Sequence, residues 1–347
     1  MDDYKKEVYR GHTIHIVYDD CADSPRNWSN VATFVCEHRN YNFGDVHNIE
    51  SEINDLFGKY VKDADVIKYF CESRNAKLIH DEEYGENYYE YSVKYRNGDS
   101  HTYRISADQD ECHIASEMED DFSNSEKLML VENSGEVVLS AISIYDHSGV
   151  SIWLGGTAGH VDSQWDCSTV GFAYVEKSTA EKEGALRAGK NGLYNGHKSW
   201  QDWAYAMMED EMEVYSQYVS GEVFGYYIDS DEYGCECNDS CYGYYGSDSI
   251  QEMIDEAKAS IDYFFKQREI EHAEYKSTIS ENIDFFIGYS WMIDGYVYRI
   301  SDNIFGNGYI ERSVVKDNLI KTYEPIDLKD LLFSAAKIIA GYMKQAA

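Results

Sequence analysis

Residues 87–106 read NYYEYSVKYRNGDSHTYRIS, two runs of alternating side chains joined at Asn97-Gly98. Alternation with period two puts every second side chain on one face of a strand, and Asn-Gly supplies the left-handed backbone that a tight turn needs. The stretch predicts an antiparallel hairpin. On its N-terminal side, ESEINDLFGKY and ADVIKYFCESR carry apolar residues at helical spacing and predict two short helices. A hairpin beside helices places the chain in the α+β class, with a mixed or antiparallel sheet core and flanking helices.

Working outward, residues 7–19 (EVYRGHTIHIVYD) predict an opening hairpin that turns at Arg10-Gly11, with Ile14, Ile16 and Tyr18 on one face. From Ala107 to Glu126 there are eight acidic residues and no Lys or Arg, in a stretch of little periodicity, which predicts a solvated acidic loop. GEVVLSAISIYD and VGFAYVEK then read as strands, and AGKNGLYNGHKSW as a loop. Ser199 is placed to cap a helix over residues 200–219 in which Trp203, Ala206, Met207, Met212 and Tyr215 recur near helical spacing; Gly221 ends it and EVFGYYI returns to strand. SDSIQEMIDEAKASIDYFFKQ predicts another helix, YSWMIDGYVYRISDN a strand pair, and residues 328–344 a terminal helix with an apolar stripe.

The 347 residues and their 43% hydrophobic content suffice for a real core, and two prolines with a 15% aromatic fraction lie far from disordered composition. The formal charge of −34, from 64 acidic and 30 basic side chains, repels phosphate backbones, so direct nucleic-acid binding is disfavoured. The same field speeds encounter with a basic partner, and it can imitate DNA toward a protein built to hold DNA; it can also serve solubility alone. No apolar run approaches the roughly 20 residues of a membrane helix, and the N-terminus lacks a signal-peptide core, so the expectation is a soluble chain that stays in the cytoplasm. Eight cysteines are too dispersed for a secreted disulfide scaffold.

Between Ser199 and Ala257 stand 15 acidic residues and no Lys or Arg. Within it Glu209, Asp210, Glu211 and Glu213 can present a column of carboxylates to a partner, though a solvated helix face has the same pattern. Tyrosine-rich segments, Tyr88, Tyr89 and Tyr91 and again Tyr242, Tyr244 and Tyr245, are further candidate contacts, since Tyr supplies large contact area at low entropy cost; half-buried strand positions are the simpler alternative. Cys235, Cys237 and Cys241 form a tight thiol cluster, but the second half of a paired-Cys zinc site is missing, and inert turn residues are preferred to metal. Asp146-His147-Ser148 has the residue types of a hydrolase triad, yet chain neighbours seldom point at each other. No Walker A loop, GxSxG, HExxH or GxGxxG sets residues in catalytic roles, so no catalytic residue and no cofactor is assigned and the expected class is non-enzyme.

Several segments together resemble an uncharacterised family encoded by bacteriophages and mobile elements. They are residues 12–45, with Ser24-Pro25-Arg26-x-Trp28 and Cys36-x-His38-Arg39-x-Tyr41-Asn42-x-Gly44-Asp45; IYDHSGVSI (144–152), with Asp146 and His147; QWDCSTVGFAYVEK (164–177), with Trp165 and Asp166; EMEVYSQYVSGEVFGYYI (211–228); and DSCYGYYG (239–246). The chain departs from the family pattern at GGTAGHVDSQWD, where a shorter turn is expected, and at Cys235 and Cys237. The resemblance implies a core domain of residues 7–50 plus 135–265, an insertion over 51–134 with the hairpin and acidic loop, and a C-terminal α/β extension over 266–347 for oligomerisation or partner binding. Physically the motif residues read as structure: Trp28, Trp165 and Phe172 as core anchors, Arg26 or Arg39 paired with Asp45 or Asp166.

The resemblance also implies a phage accessory protein in the host bacterial cytoplasm. Size and character look most like the Gabija anti-defence proteins, which enclose a host nuclease–helicase complex as an oligomeric shell. The leading expectation is therefore a homo-oligomeric counter-defence protein that inhibits a host defence complex by stoichiometric protein–protein binding. The alternatives are an acidic DNA mimic that blocks another nuclease or restriction enzyme, a metal-dependent hydrolase, and a phage structural or assembly protein.

Overall fold

The opening strands β1 (Asp3–Tyr9) and β2 (His12–Tyr18) are joined by Arg10 at φ 50° and Gly11 at φ 83°, the backbone of a type I′ hairpin turn. Burial on β2 includes Ile14, Ile16 and Val17, so both of its faces are covered, while Tyr18 is exposed; the one-faced alternation read from sequence does not hold there. This computed structural model describes residues 3–147, 149–157, 166–188, 192–229, 237, 239–282, 290–293, 296–302, 308–316 and 319–325. The chain is α+β, as the sequence predicts.

After β2 come β3 (Thr33–Cys36), α1 (Ile49–Tyr60), α2 (Asp63–Arg74), β4 (Lys77–Asp81), β5 (Glu86–Lys94), β6 (Ser100–Ser106), α3 (Glu111–Glu119) and α4 (Asn124–Asn133). Next are β7 (Val137–Asp146), β8 (Val150–Leu154), β9 (Cys167–Glu176), α5 (Lys177–Leu186), α6 (Trp200–Val219), β10 (Val223–Asp229), β11 (Ser240–Tyr245) and α7 (Ile250–Asn282). The strands β12 (Ser290–Ile293), β13 (Tyr296–Asp302), β14 (Gly308–Lys316) and β15 (Leu319–Pro325) close the described chain. The sheets run β1-β2-β10-β11, β3-β9-β7-β8, β4-β5-β6 and β12-β13-β14-β15.

The chain divides into two compact units. The first holds Val17–Gly225 and Tyr242–Ile250, the second Asp3–Ile16, Tyr226–Cys241 and Gln251–Ala347. At the centre of the first unit lies the antiparallel sheet β3-β9-β7-β8, in which Phe172 of β9 stands opposite Val35 of β3 and Ala141 of β7. Period-two alternation sends Phe34, Val138, Ile142 and Ile144 to one face, where they pack on Trp203, Ala204, Met208, Met212 and Tyr215 of α6. The opposite face, with Val35, Val137 and Phe172, packs on Ile53, Phe57, Val66, Phe70, Met118 and Val131 from α1 to α4. A sheet buried on both faces needs a helical layer on each side, and the segment 51–134 supplies one of them.

Two sequence expectations change here. The segment 51–134, read as an insertion, packs its helices into the same apolar cluster as one face of the central sheet. The predicted acidic loop is mostly helical, because Ile114, Ala115, Met118 and Phe122 fall at helical spacing and are buried, with the acids facing outward; Ser123 and Glu126 then form a reciprocal cap at the start of α4. The Asn97-Gly98 hairpin is present with Lys94 opposite Ser100, but its turn is a three-residue one, Arg96-Asn97-Gly98, closed by the Tyr95 N–H to Asp99 carbonyl bond at 2.8 Å. Only Gly98, at φ 94°, takes the left-handed conformation.

In α6, Ser199 caps as expected by accepting from Asp202 N–H, and Ala204 and Met208 are buried where Ala206 and Met207 were expected. In the second unit, α7 packs on the opening hairpin. The Tyr9 hydroxyl donates to Asp262 at 3.1 Å, Arg10 Nε lies 3.0 Å from the same carboxylate, and Lys258 pairs with Glu7. The expected boundary at residue 266 falls inside α7, since KQREIEHAEYKSTISEN contains no Gly or Pro to stop a helix. The expected strand pair β12-β13 is extended by β14 and β15 into an antiparallel meander. The terminal helix read over 328–344 lies outside the described residues. Among the described residues no helix is long and apolar enough to cross a membrane.

Candidate functional site

Ser24 and Pro25 start a short 3-10 turn: the Ser24 hydroxyl accepts from Arg26 N–H at 3.3 Å and Pro25 brings a preset φ. That turn aims Arg26 inward and Trp28 outward. The Arg26 side chain is 5% exposed and lies between two carboxylates. Its Nε and Nη2 donate to Asp45 at 3.0 and 2.6 Å, Nη1 donates to Glu211 at 3.0 Å, and Nη2 also donates to the Ala32 carbonyl at 2.6 Å. The guanidinium carbon sits 3.8 Å from the centre of the Phe34 ring. Both acids are held in turn: Asp45 accepts from Phe34 N–H at 2.8 Å, and Glu211 from Val31 N–H at 2.6 Å and Ala32 N–H at 3.3 Å. Burial raises the Glu211 carboxyl above its ordinary value against the opposing pull of these donors and of Arg26.

This knot ties together the first motif, the loop after β3 and the middle of α6. Gly44 lies within it at φ 74°, its N–H donates to the Tyr215 hydroxyl at 2.8 Å, and a Cβ there would stand 2.6 Å from the Phe34 carbonyl oxygen. Only glycine fits. Cys36, Gly44 and Asp45 are therefore structural, and burial, with Asp45 nearby, pushes the Cys36 thiol up to about 12, which removes it as a nucleophile. The pairing expected for Arg26 with Asp45 is present, whereas Arg39 is exposed. Glu211 was placed among the partner contacts; it instead closes this knot, with its side chain 14% exposed. Trp28 was placed in the core; it is 50% exposed and meets Tyr245 edge-on at 5.3 Å.

At the end of the central sheet, His38, Tyr41 and Phe43 stack, with His38–Tyr41 and Tyr41–Phe43 centroids 5.1 and 5.0 Å apart. The Tyr41 hydroxyl donates to Asp146 at 3.2 Å, and His38 Nε2 lies 4.0 Å from the same carboxylate. His147 is 3.8 Å from Asp166 and mostly exposed, and the Asp146 N–H bonds the Asp166 carbonyl at 3.1 Å. Histidines and aspartates of three motif blocks thus meet. Trp165 and Ser148 lie outside the described residues. Among the described residues no group of three or more His, Cys, Asp or Glu side chains is arranged to hold a metal ion. Cys237 is buried and Cys241 half-buried, and Cys235 lies outside the described residues.

Both acidic regions hold ion-paired and unpaired carboxylates, and on α2 the exposed Asp63, Asp65 and Glu72 form no ion pair with a described residue. In the 51–134 layer, Arg74 bridges Asp121 and Glu126 at 2.9 and 2.7 Å, Lys127 holds Glu119 at 2.7 Å, and Arg104 holds Asp81 and Glu90. The bond from Arg74 holds the Glu126 carboxyl down to about 2. On α6, Asp202, Glu209, Asp210 and Glu213 are exposed and form no ion pair with a described residue. Asp210 and the exposed Trp28 line one cleft of about 400 Å³ together with Met207 and Trp203.

Tyr88, Tyr89 and Tyr91 are half-buried strand residues: Tyr91 meets Phe70 edge-on at 4.9 Å and Tyr88 is bonded to Glu86. Tyr244 and Tyr245 are half-buried too, the latter donating to the Asp23 carbonyl at 2.6 Å. Tyr242 remains exposed, its ring lying over Gly225. Comparison with protein-family models, with curated proteins and with solved structures returns no match for the chain.

Proposed function

We propose that the chain works by stoichiometric binding of a basic protein surface, as a phage counter-defence protein that inhibits a host immune complex, the Gabija nuclease–helicase complex being the first target to test. The observation that carries this reading is the outer face of α6, where Asp202, Glu209, Asp210 and Glu213 are exposed and form no ion pair with a described residue and Asp210 shares a cleft with the exposed Trp28, on a helix whose other face is buried in the core. Several unpaired carboxylates on one rigid helix repel one another, and a basic partner relieves that repulsion. Trp is the residue type most enriched at binding hot spots, and here it stands beside Asp210. With a net charge of −34 throughout, the partner surface is cationic and not a nucleic acid.

The test is affinity capture from cells carrying the defence complex, with wild-type chain and with Glu209→Lys/Asp210→Lys/Glu213→Lys. Wild-type chain is expected to capture the complex in fixed stoichiometry, and the triple variant to lose it while keeping its circular dichroism and melting temperature. Equal capture by both removes the α6 face from the interface.

A further inference from the structure

A cleft of about 460 Å³ opens at the C-terminal end of α6. Two stacked aromatic pairs line it: Tyr41 with Phe43, 5.0 Å apart, and Tyr215 with Tyr218, 6.3 Å apart and inclined by 17°. Asp19 and Asp20 line it as well, and among the described residues no Lys, Arg or His does. Asp19 spends one oxygen on the Cys21 N–H at 3.1 Å, while the exposed Asp20 has no partner among the described residues. The C-terminal end of a 20-residue helix carries partial negative charge, and although the Ser216, Gln217 and Tyr218 carbonyls accept from the N–H groups of Ser220, Glu222 and Gly221, the last turn of α6 contains no basic side chain to offset it.

Three independent features favour a cation in the same space: carboxylates, a helix C-terminus and aromatic rings, whose faces attract positive charge. A planar guanidinium suits them best, because it stacks on rings while its N–H groups reach carboxylates and carbonyls, and it is weakly hydrated. We infer that this cleft receives an arginine side chain projected by the protein partner. The inference rests on the reading of the chain as a protein-binding inhibitor, and it adds a specificity pocket distinct from the outer acidic face of α6. Tyr41 and Tyr215 are pre-set for that task, since their hydroxyls are already bonded to Asp146 and to the Gly44 N–H.

The full chain, ¹⁵N-labelled, is titrated with the tripeptides acetyl-Gly-Arg-Gly-amide and acetyl-Gly-Gln-Gly-amide, and the amide signals of Gly44 and Gly221 are followed. The arginine peptide is expected to shift both saturably with a millimolar dissociation constant, and the glutamine peptide to leave them in place up to about 20 mM. Asp20→Asn, on an exposed side chain that holds nothing in the fold, is expected to weaken the arginine peptide about fivefold, and Tyr218→Leu by a similar factor. Equal responses to both peptides, no response at Gly44 and Gly221, or an unchanged constant in both variants overturns the arginine pocket. None of those results touches capture of the defence complex by the α6 face, and failed capture with a responsive cleft sinks the choice of target while the pocket stands.

Discussion

Replacing Arg26 by Ala tests whether the first motif is a structural knot. The substitution removes four hydrogen bonds of 2.6 to 3.0 Å, the Phe34 ring contact, and the only cation between Asp45 and Glu211. Breaking a buried ion pair from one side costs about 3–5 kcal/mol, because the remaining charge stays uncompensated, and here two carboxylates remain. Spread over a unit of this size, that corresponds to a fall in melting temperature of roughly 6–20 °C. The pH dependence carries a sign. Burial raises the Glu211 carboxyl and Arg26 opposes that rise, so without the guanidinium the deficit of the variant is largest near about pH 8 and shrinks toward about pH 5 as Glu211 takes up a proton. Urea denaturation of wild type and variant at both pH values measures this. A loss below about 1 kcal/mol, or one equal at the two pH values, refutes the knot.

Phe70→Ala, at a fully buried position of the 51–134 layer, is expected to cost about 3–5 kcal/mol in the same assay, and deletion of 51–134 to abolish cooperative unfolding of the first unit. A cooperative transition in the deletion variant contradicts that dependence. The Arg74 bond keeps Glu126 ionised down to about 2 in the folded chain, while the unfolded chain takes up that proton near its ordinary 4.5, so this stabilisation is present above about pH 4.5 and lost as pH falls toward 2. Arg74→Gln is expected to flatten the stability–pH curve in that window, and an unchanged slope contradicts the assignment. In a mobility-shift assay at about 0.15 M salt the chain is expected to leave duplex DNA unbound, and submicromolar binding would overturn the cationic-partner reading.

Period-two and helical spacings made the α+β class legible, because side chains return to one face every second residue in a strand and every three to four residues in a helix. The Ser199 cap and the Arg10-Gly11 turn were legible for a local reason, the backbone or side-chain bond lying within three residues. What sequence pattern missed is long-range. Ile114, Ala115, Met118 and Phe122 have helical spacing, but the surrounding acids masked it, and only the sheet face they cover explains their burial. The role of Glu211 depends on the N–H groups of Val31 and Ala32, some 180 residues away, so among five acids on one helix nothing local distinguished it from its solvated neighbours. The separation of paired from unpaired carboxylates, on which the proposed interface depends, likewise required the positions of Arg74, Lys127 and Arg104 in space.

The most direct measurement is the association rate of purified chain with the purified Gabija nuclease–helicase complex at about 50 mM and about 500 mM salt. Unpaired carboxylates that steer a basic partner predict a tight, stoichiometric complex whose association slows by about tenfold or more at the higher salt. No complex at micromolar concentrations, or a complex whose association rate is indifferent to salt, contradicts the assignment of the α6 face as an electrostatic docking surface for that target.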